Sequence, residues 1–111
     1  VKISTQEFGP IAVVTLSGEY TADDVDAFNR VATERAKPST MHVVIDCEHL
    51  EFIDSAGLQS FLRLQEKLGT RGGQLRLAKT DDTVQTILRL TRLELAFDRH
   101  DSIERAVRSL R

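Results

Sequence analysis

The chain has 111 residues, 41% of them apolar and 29% charged, and a formal net charge of −2. That length holds one domain with a core, here residues 1–111, and excludes two ordinary ones. Near-balanced charge and few aromatics (5%, no Trp) argue against direct nucleic-acid binding or attraction to an anionic membrane.

The one cysteine, Cys47, has no internal disulfide partner and reads as a small buried residue of a reduced, cytoplasmic protein. No run is long or apolar enough to insert in a bilayer. The start, Val1-Lys2-Ile3-Ser4, does not resemble a signal peptide, and the missing initiator Met suggests processing or a piece of a longer chain.

Lys2 to Phe8 alternates moderately, Gly9-Pro10 punctuates, and Ile11 to Gly18 is β-rich, which predicts an antiparallel hairpin whose second strand ends at Gly18. Thr21 is a plausible N-cap, with Asp23 and Asp24 in a first helical turn. Val25, Phe28, Ala32 and Ala36 follow at helical spacing, leaving Asp26, Arg30, Glu34 and Arg35 mostly elsewhere. Lys37-Pro38-Ser39-Thr40 stops that helix.

Met41 to Asp46 contains the most apolar run, Val43-Val44-Ile45, which predicts a strand buried on both faces of a parallel sheet. A short polar loop then leads to Ser55 at the start of a second helix, with Leu58, Phe61, Leu62, Gln65 and Leu68 inward. Gly69 and Gly72-Gly73 end it. Gln74 to Ala78 alternates like a strand. Thr80-Asp81-Asp82 opens a third helix with Val84, Ile87, Leu88 and Thr91 inward, and Leu95-Ala96-Phe97 reads as a short last strand. Asp101-Ser102-Ile103-Glu104 has capping-box spacing with Asp101 as the cap, and Ile103, Ala106, Val107 and Leu110 mark a final amphipathic helix. The expected fold is α/β: a mixed four- to five-stranded sheet with an N-terminal β-hairpin and about four helices.

Ser55 is the candidate functional residue. Its hydroxyl falls near a helix N-terminus, where unpaired N–H groups and the dipole favour an anion, so a phosphate on it would be held by that geometry. The plain alternative is that Asp54 or Ser55 only caps the helix.

Taken with the residues around it, Ile53-Asp54-Ser55-Ala56-Gly57-Leu58 resembles the STAS domains, and among them the bacterial anti-sigma factor antagonists. Ser17-Gly18-Glu19-Tyr20, His42 to Asp46, Gly72 to Leu77, Ile87 to Leu93 and Phe97 carry the resemblance over nearly the whole length. It implies a regulator of transcription whose Ser55 is phosphorylated by a partner that is both anti-sigma factor and serine kinase. The unphosphorylated domain would bind that partner and the phosphorylated one release it. Asp54, Ser55, Ala56, Gly57, Thr21 and Asp23 are the implied contact residues, on a monomer or weak dimer. Phosphorylated antagonists usually read Gly-Glu-Leu-Asp after the second strand; here Gly18-Glu19-Tyr20-Thr21 puts Thr21 where the acid stands. That favours an alternative: an unphosphorylated STAS scaffold or regulatory module in a larger signalling assembly or transporter system.

No enzyme is expected. Ser55 lacks a Gly-x-Ser-x-Gly elbow, and a phosphoacceptor role for Asp46 would want an acidic pair where only Glu19 stands, so Asp46 reads as a loop hydrogen-bonder. His42, His49 and His100 lack companions at metal-ligand spacing, so no metal, cofactor or catalytic residue is assigned. The arginines from Arg89 to Arg111 read as solvated helix faces.

Overall fold

In the computed structural model, which describes residues 1–34 and 36–111, with Glu34 by its backbone alone, β1 (Lys2–Phe8) and β2 (Ile11–Tyr20) form the expected antiparallel hairpin across Gly9-Pro10. β3 (His42–Ile53), β4 (Leu75–Ala78) and β5 (Asp98–His100) add in parallel, giving a five-stranded mixed sheet in the order β1-β2-β3-β4-β5. The helices are α1 (Val25–Asn29), α2 (Ser55–Gly69), α3 (Asp82–Leu90) and α4 (Ile103–Arg108).

Alternation along the strands divides the core in two. Val14, Leu16, Val43, Ile45 and Leu77 pack with Phe28, Leu58, Phe61, Leu64, Val84, Leu88 and Phe97 on the face covered by α1, α2 and α3. Ile11, Val13, Val44 and Ala78 point the other way, against Ala106, Ile103, Val107 and Leu110 of α4. Val44 is therefore covered on a strand buried on both faces, as its apolar run implied.

Both central strands run further than expected. β2 does not end at Gly18, and the stretch after Asp46 is not a loop: Ser17, Gly18, Glu19 and Tyr20 pair with His49, Leu50, Phe52 and Ile53. The register shifts twice in this extension, and β3 holds the additional residue each time. Bulges of this kind let Glu48, His49 and Glu51 face solvent while Leu50 and Ile53 stay buried. Polarity alone disguised the strand as a loop.

The first helix is less regular than its spacing suggested. A 3-10 turn (Ala22–Asp24) leads into α1, and Arg30–Glu34 continue as a π-helical turn. The outward placing expected for the Glu34 side chain and for Arg35 lies outside the described residues.

On α2 the buried set is Gly57, Leu58, Ser60, Phe61, Leu64 and Leu68. Leu62 and Gln65 are only half-buried, and Gln65 donates its amide to the Ala96 carbonyl at 2.9 Å. Thr91 is exposed rather than inward. Its hydroxyl donates to the Ile87 and Leu88 carbonyls, satisfying the last turn of α3 from outside.

Leu95-Ala96-Phe97 is not a strand. The Ala96 amide closes a turn onto Leu93, Phe97 drops into the core, and pairing starts at Asp98. Ser102, not Asp101, caps α4, accepting from the Arg105 amide at 3.1 Å.

His42, half-buried at the start of β3, accepts the Gln74 amide on Nδ1 at 3.0 Å. Burial, then the nearby Arg76 charge, holds its pKa below the ordinary 6.5. The unfolded chain thus takes up a proton first on acidification, so this contribution to stability is full above pH 6.5 and is lost as pH falls from there through the folded-state pKa. Urea unfolding of wild type should therefore weaken more between pH 7.5 and 5.5 than that of His42→Asn, which keeps an acceptor but cannot titrate. Parallel pH curves for the two would show that His42 is not the group.

Candidate functional site

The C-terminal end of β3 delivers Asp54 to the start of α2, and the end of β2 delivers Tyr20 and Thr21 beside it. Asp54 joins the two. Its amide donates to the Tyr20 carbonyl at 3.1 Å. Its carboxylate accepts the Gly57 amide at 2.8 Å and the Ala22 amide at 2.9 Å. Asp54 is thus the N-cap of α2 and also the tie between α2 and the turn after β2.

Ser55 is the first helical residue and is exposed. Capping belongs to Asp54, and no hydrogen bond among the described residues engages the Ser55 hydroxyl. The anion position expected for a phosphate is already occupied by the Asp54 carboxylate on the Gly57 amide. A phosphate on Ser55 would therefore add charge beside an existing carboxylate rather than fill an empty cradle.

Beneath Ser55 the helix start is locked from inside. Tyr20 is fully buried and its ring packs against Phe28 and Phe61, with centroids 5.3 and 5.6 Å away. Ser60 donates to the Gly57 carbonyl at 2.6 Å, which leaves its oxygen to accept from the Tyr20 hydroxyl at 2.5 Å. Burial pushes the Tyr20 phenol up to about 12, the charges of Asp24 and Asp54 adding to it and the Ser60 hydrogen bond opposing. The phenol is neutral at physiological pH. Gly57 packs so closely that a Cβ there would lie 2.7 Å from Ile53 Cγ1, so this first turn admits no side chain at that position.

Among the other expected contact residues, Ala56 is half-buried in the same turn and Asp23 is exposed in the 3-10 turn. Thr21 is half-buried, its amide donating to Asp24 Oδ2 at 3.0 Å and its hydroxyl reaching the same oxygen at 3.5 Å. That amide holds the Asp24 carboxyl below the usual carboxylate range. Asp24 therefore serves Thr21 and its own turn. The structure brings Asp54, Ser55, Ala56 and Gly57 together with Thr21 through Ala22.

Tyr20 and Ser60 were missed as site residues. Ser60 carried a signal, being the one polar residue among the buried positions of α2. Asp46 is a hydrogen-bonder as expected, but within β3 rather than ahead of a loop, accepting from the Glu48 amide at 3.1 Å and the Thr15 hydroxyl at 3.3 Å. The Cys47 thiol is fully buried, which pushes it up to about 12 and leaves it unreactive. No helix among the described residues is long and apolar enough to cross a membrane.

A family model described as the STAS domain matches residues 2–107. The fold is similar to that of an anti-sigma factor antagonist from Mycobacterium paratuberculosis (TM-score 0.84, 23% identity, covering 98% of this chain and 92% of that one). It is also similar to the Bacillus cell fate determinant SpoIIAA in its phosphorylated form (TM-score 0.75, 18% identity, 99% and 100%). A sulfate transporter family protein from Wolinella succinogenes shares it as well (TM-score 0.77, 17% identity, 91% and 84%).

Proposed function

The chain belongs to the STAS domain family, and we propose that within it this domain works as an anti-sigma factor antagonist switched at Ser55. It is a binding module and not an enzyme. Unphosphorylated, it engages a kinase-type anti-sigma factor through the α2 start and the turn after β2. Phosphorylated, it lets go.

The observation that carries this reading is the exposed Ser55 hydroxyl on a helix start held rigid by other residues. A serine needed as a cap could not be modified freely; this one is spare. Modification adds roughly −1.5 to −2 charges at pH 7 next to the Asp54 carboxylate, on a surface that must lose water when a partner docks. Release then follows from electrostatics and desolvation without unfolding. Thr21 in the place of the usual acid favours a second reading, an unswitched module of a larger assembly or transporter system.

Ser55→Ala should lose no more than about 0.5 kcal/mol of stability, because the cap is Asp54, and should bind the partner constitutively. Ser55→Asp should also fold, since a carboxylate suits a first helical turn, yet bind about tenfold or more weakly. Calorimetric titration of both against the kinase-type anti-sigma factor of the same organism, with thermal melts as controls, decides between the readings. Equal affinities for wild type and both variants would remove Ser55 from the mechanism and favour the unswitched module.

A further inference from the structure

Ser55 forms part of the wall of a groove that the hydrogen-bonded site does not use. The other walls are Leu58, Gln59 and Leu62 of α2, and Thr91 and Leu93 just beyond α3. Its volume is about 250 Å³, below the roughly 300–1,000 Å³ of small-molecule sites and suited to one or two side chains.

The surroundings are apolar and basic. Leu90, next to the wall residue Thr91 in sequence, is 78% exposed, whereas Leu95 belongs to a separate hollow. Arg92 stands between the two wall residues Thr91 and Leu93, and its amide bonds to the Arg89 carbonyl. Arg63 follows Leu62. Arg63, Arg89 and Arg92 are exposed, and none of the three forms an ion pair among the described residues. The carboxylate of this turn, Glu94, lines a separate hollow with Thr80, Gln85, Asp98 and Arg99.

We infer that this groove receives an apolar side chain from an acidic segment of the anti-sigma partner, whose carboxylates meet Arg63, Arg89 and Arg92. The inference rests on the reading above and deepens it: it assigns the second half of the contact surface. It also supplies a reason for release. A phosphate on Ser55 places charge in the wall of an apolar groove and competes with the partner's carboxylates for the arginines beside it.

The test titrates the full chain with the kinase-type anti-sigma factor of the same organism, at low and high salt. The variants are Thr91→Glu and the pair Arg89→Glu with Arg92→Glu, all on exposed side chains. Each puts acid at the α3 C-terminus, and Thr91→Glu also loses the hydroxyl bonds to Ile87 and Leu88, so thermal melts set a temperature at which every variant is folded and binding is compared there. Arg108→Glu on α4, across the sheet, is the control. Both groove variants should weaken binding about tenfold or more, the arginine pair should also flatten its salt dependence, and the control should bind as wild type.

Wild-type affinity in both groove variants would overturn the groove and leave the Ser55 reading standing. No binding by wild type itself would overturn both. Sedimentation of the same proteins adds a third outcome. A wild-type dimer broken by Thr91→Glu, with partner affinity unchanged, would make the groove a contact between copies of this chain and overturn its assignment to the partner.

Discussion

Val44→Asp is expected to leave the chain without a cooperative unfolding transition at neutral pH. Val44 has no exposed surface and sits mid-strand between Val13 of β2 and Arg76 of β4. Its side chain meets the apolar set of Ile11, Val13, Ala78 and Ala106, backed by α4. The cation on the paired strand, Arg76, is already engaged by Asp98, Ser109 and Gln74, and the adjacent backbone amides are committed to the sheet. Asp46, two residues on and so on the same face, already uses the Thr15 hydroxyl and Glu48 amide. A second carboxylate would be repelled as well as desolvated.

The cost is several kcal/mol or more, against a total stability of roughly 5–15 kcal/mol for a domain of this kind. Circular dichroism with urea titration measures it. Glu66→Lys, on the exposed side of α2, should stay within about 0.5 kcal/mol. A wild-type melt from Val44→Asp would mean that α4 does not close that face.

Gly73→Ala should be nearly as damaging, for a different reason. A Cβ at Gly73 would lie 1.9 Å from the Met41 carbonyl oxygen and 3.1 Å from that of Leu68. Both obstacles are backbone and neither can rotate away. The chain cannot back off cheaply either. The Gly73 amide donates to Leu68, the Gln74 carbonyl accepts from Val43, and the Gln74 amide is held by His42. Relief of the clash would pull β4 out of register with β3, at a cost of about 3 kcal/mol or more.

Its neighbour makes the comparison. Gly72 has φ +78° and open space where a Cβ would go, so Gly72→Ala carries only backbone strain of roughly 1–2 kcal/mol. Equilibrium unfolding of the two variants side by side should rank Gly73→Ala well below Gly72→Ala. The reverse order would show that close approach at Met41 is not what the second glycine serves.

That pair shows where reading ends. Gly72-Gly73 announced a turn, but nothing local says that one glycine answers a backbone angle and the other a crossing strand 32 positions away. The same division runs through the site. Asp54-Ser55 at the mouth of an amphipathic helix, with Val43-Val44-Ile45 before it, was legible because periodicity and capping chemistry are local. So were the hairpin, the doubly buried strand and the final amphipathic helix.

What stayed hidden depended on partners distant in sequence. Residues 47–52 looked like a loop because their polar side chains face solvent, and only pairing with Ser17 to Tyr20 makes them strand. Tyr20 and Ser60 meet across 40 positions, and Asp54 reaches Ala22 across 32. Leu95-Ala96-Phe97 has the residues of a strand, but Phe97 is drawn into the core and displaces pairing to Asp98-Arg99-His100. Most element types, the family pattern and the serine are legible in the chain alone, because these follow from side-chain period and backbone chemistry within a few residues. The tertiary structure alone decided which carboxylate caps and ties the site, and which groove Ser55 overlooks. Hydrogen bonds and burial there are settled by chain segments that meet only after folding.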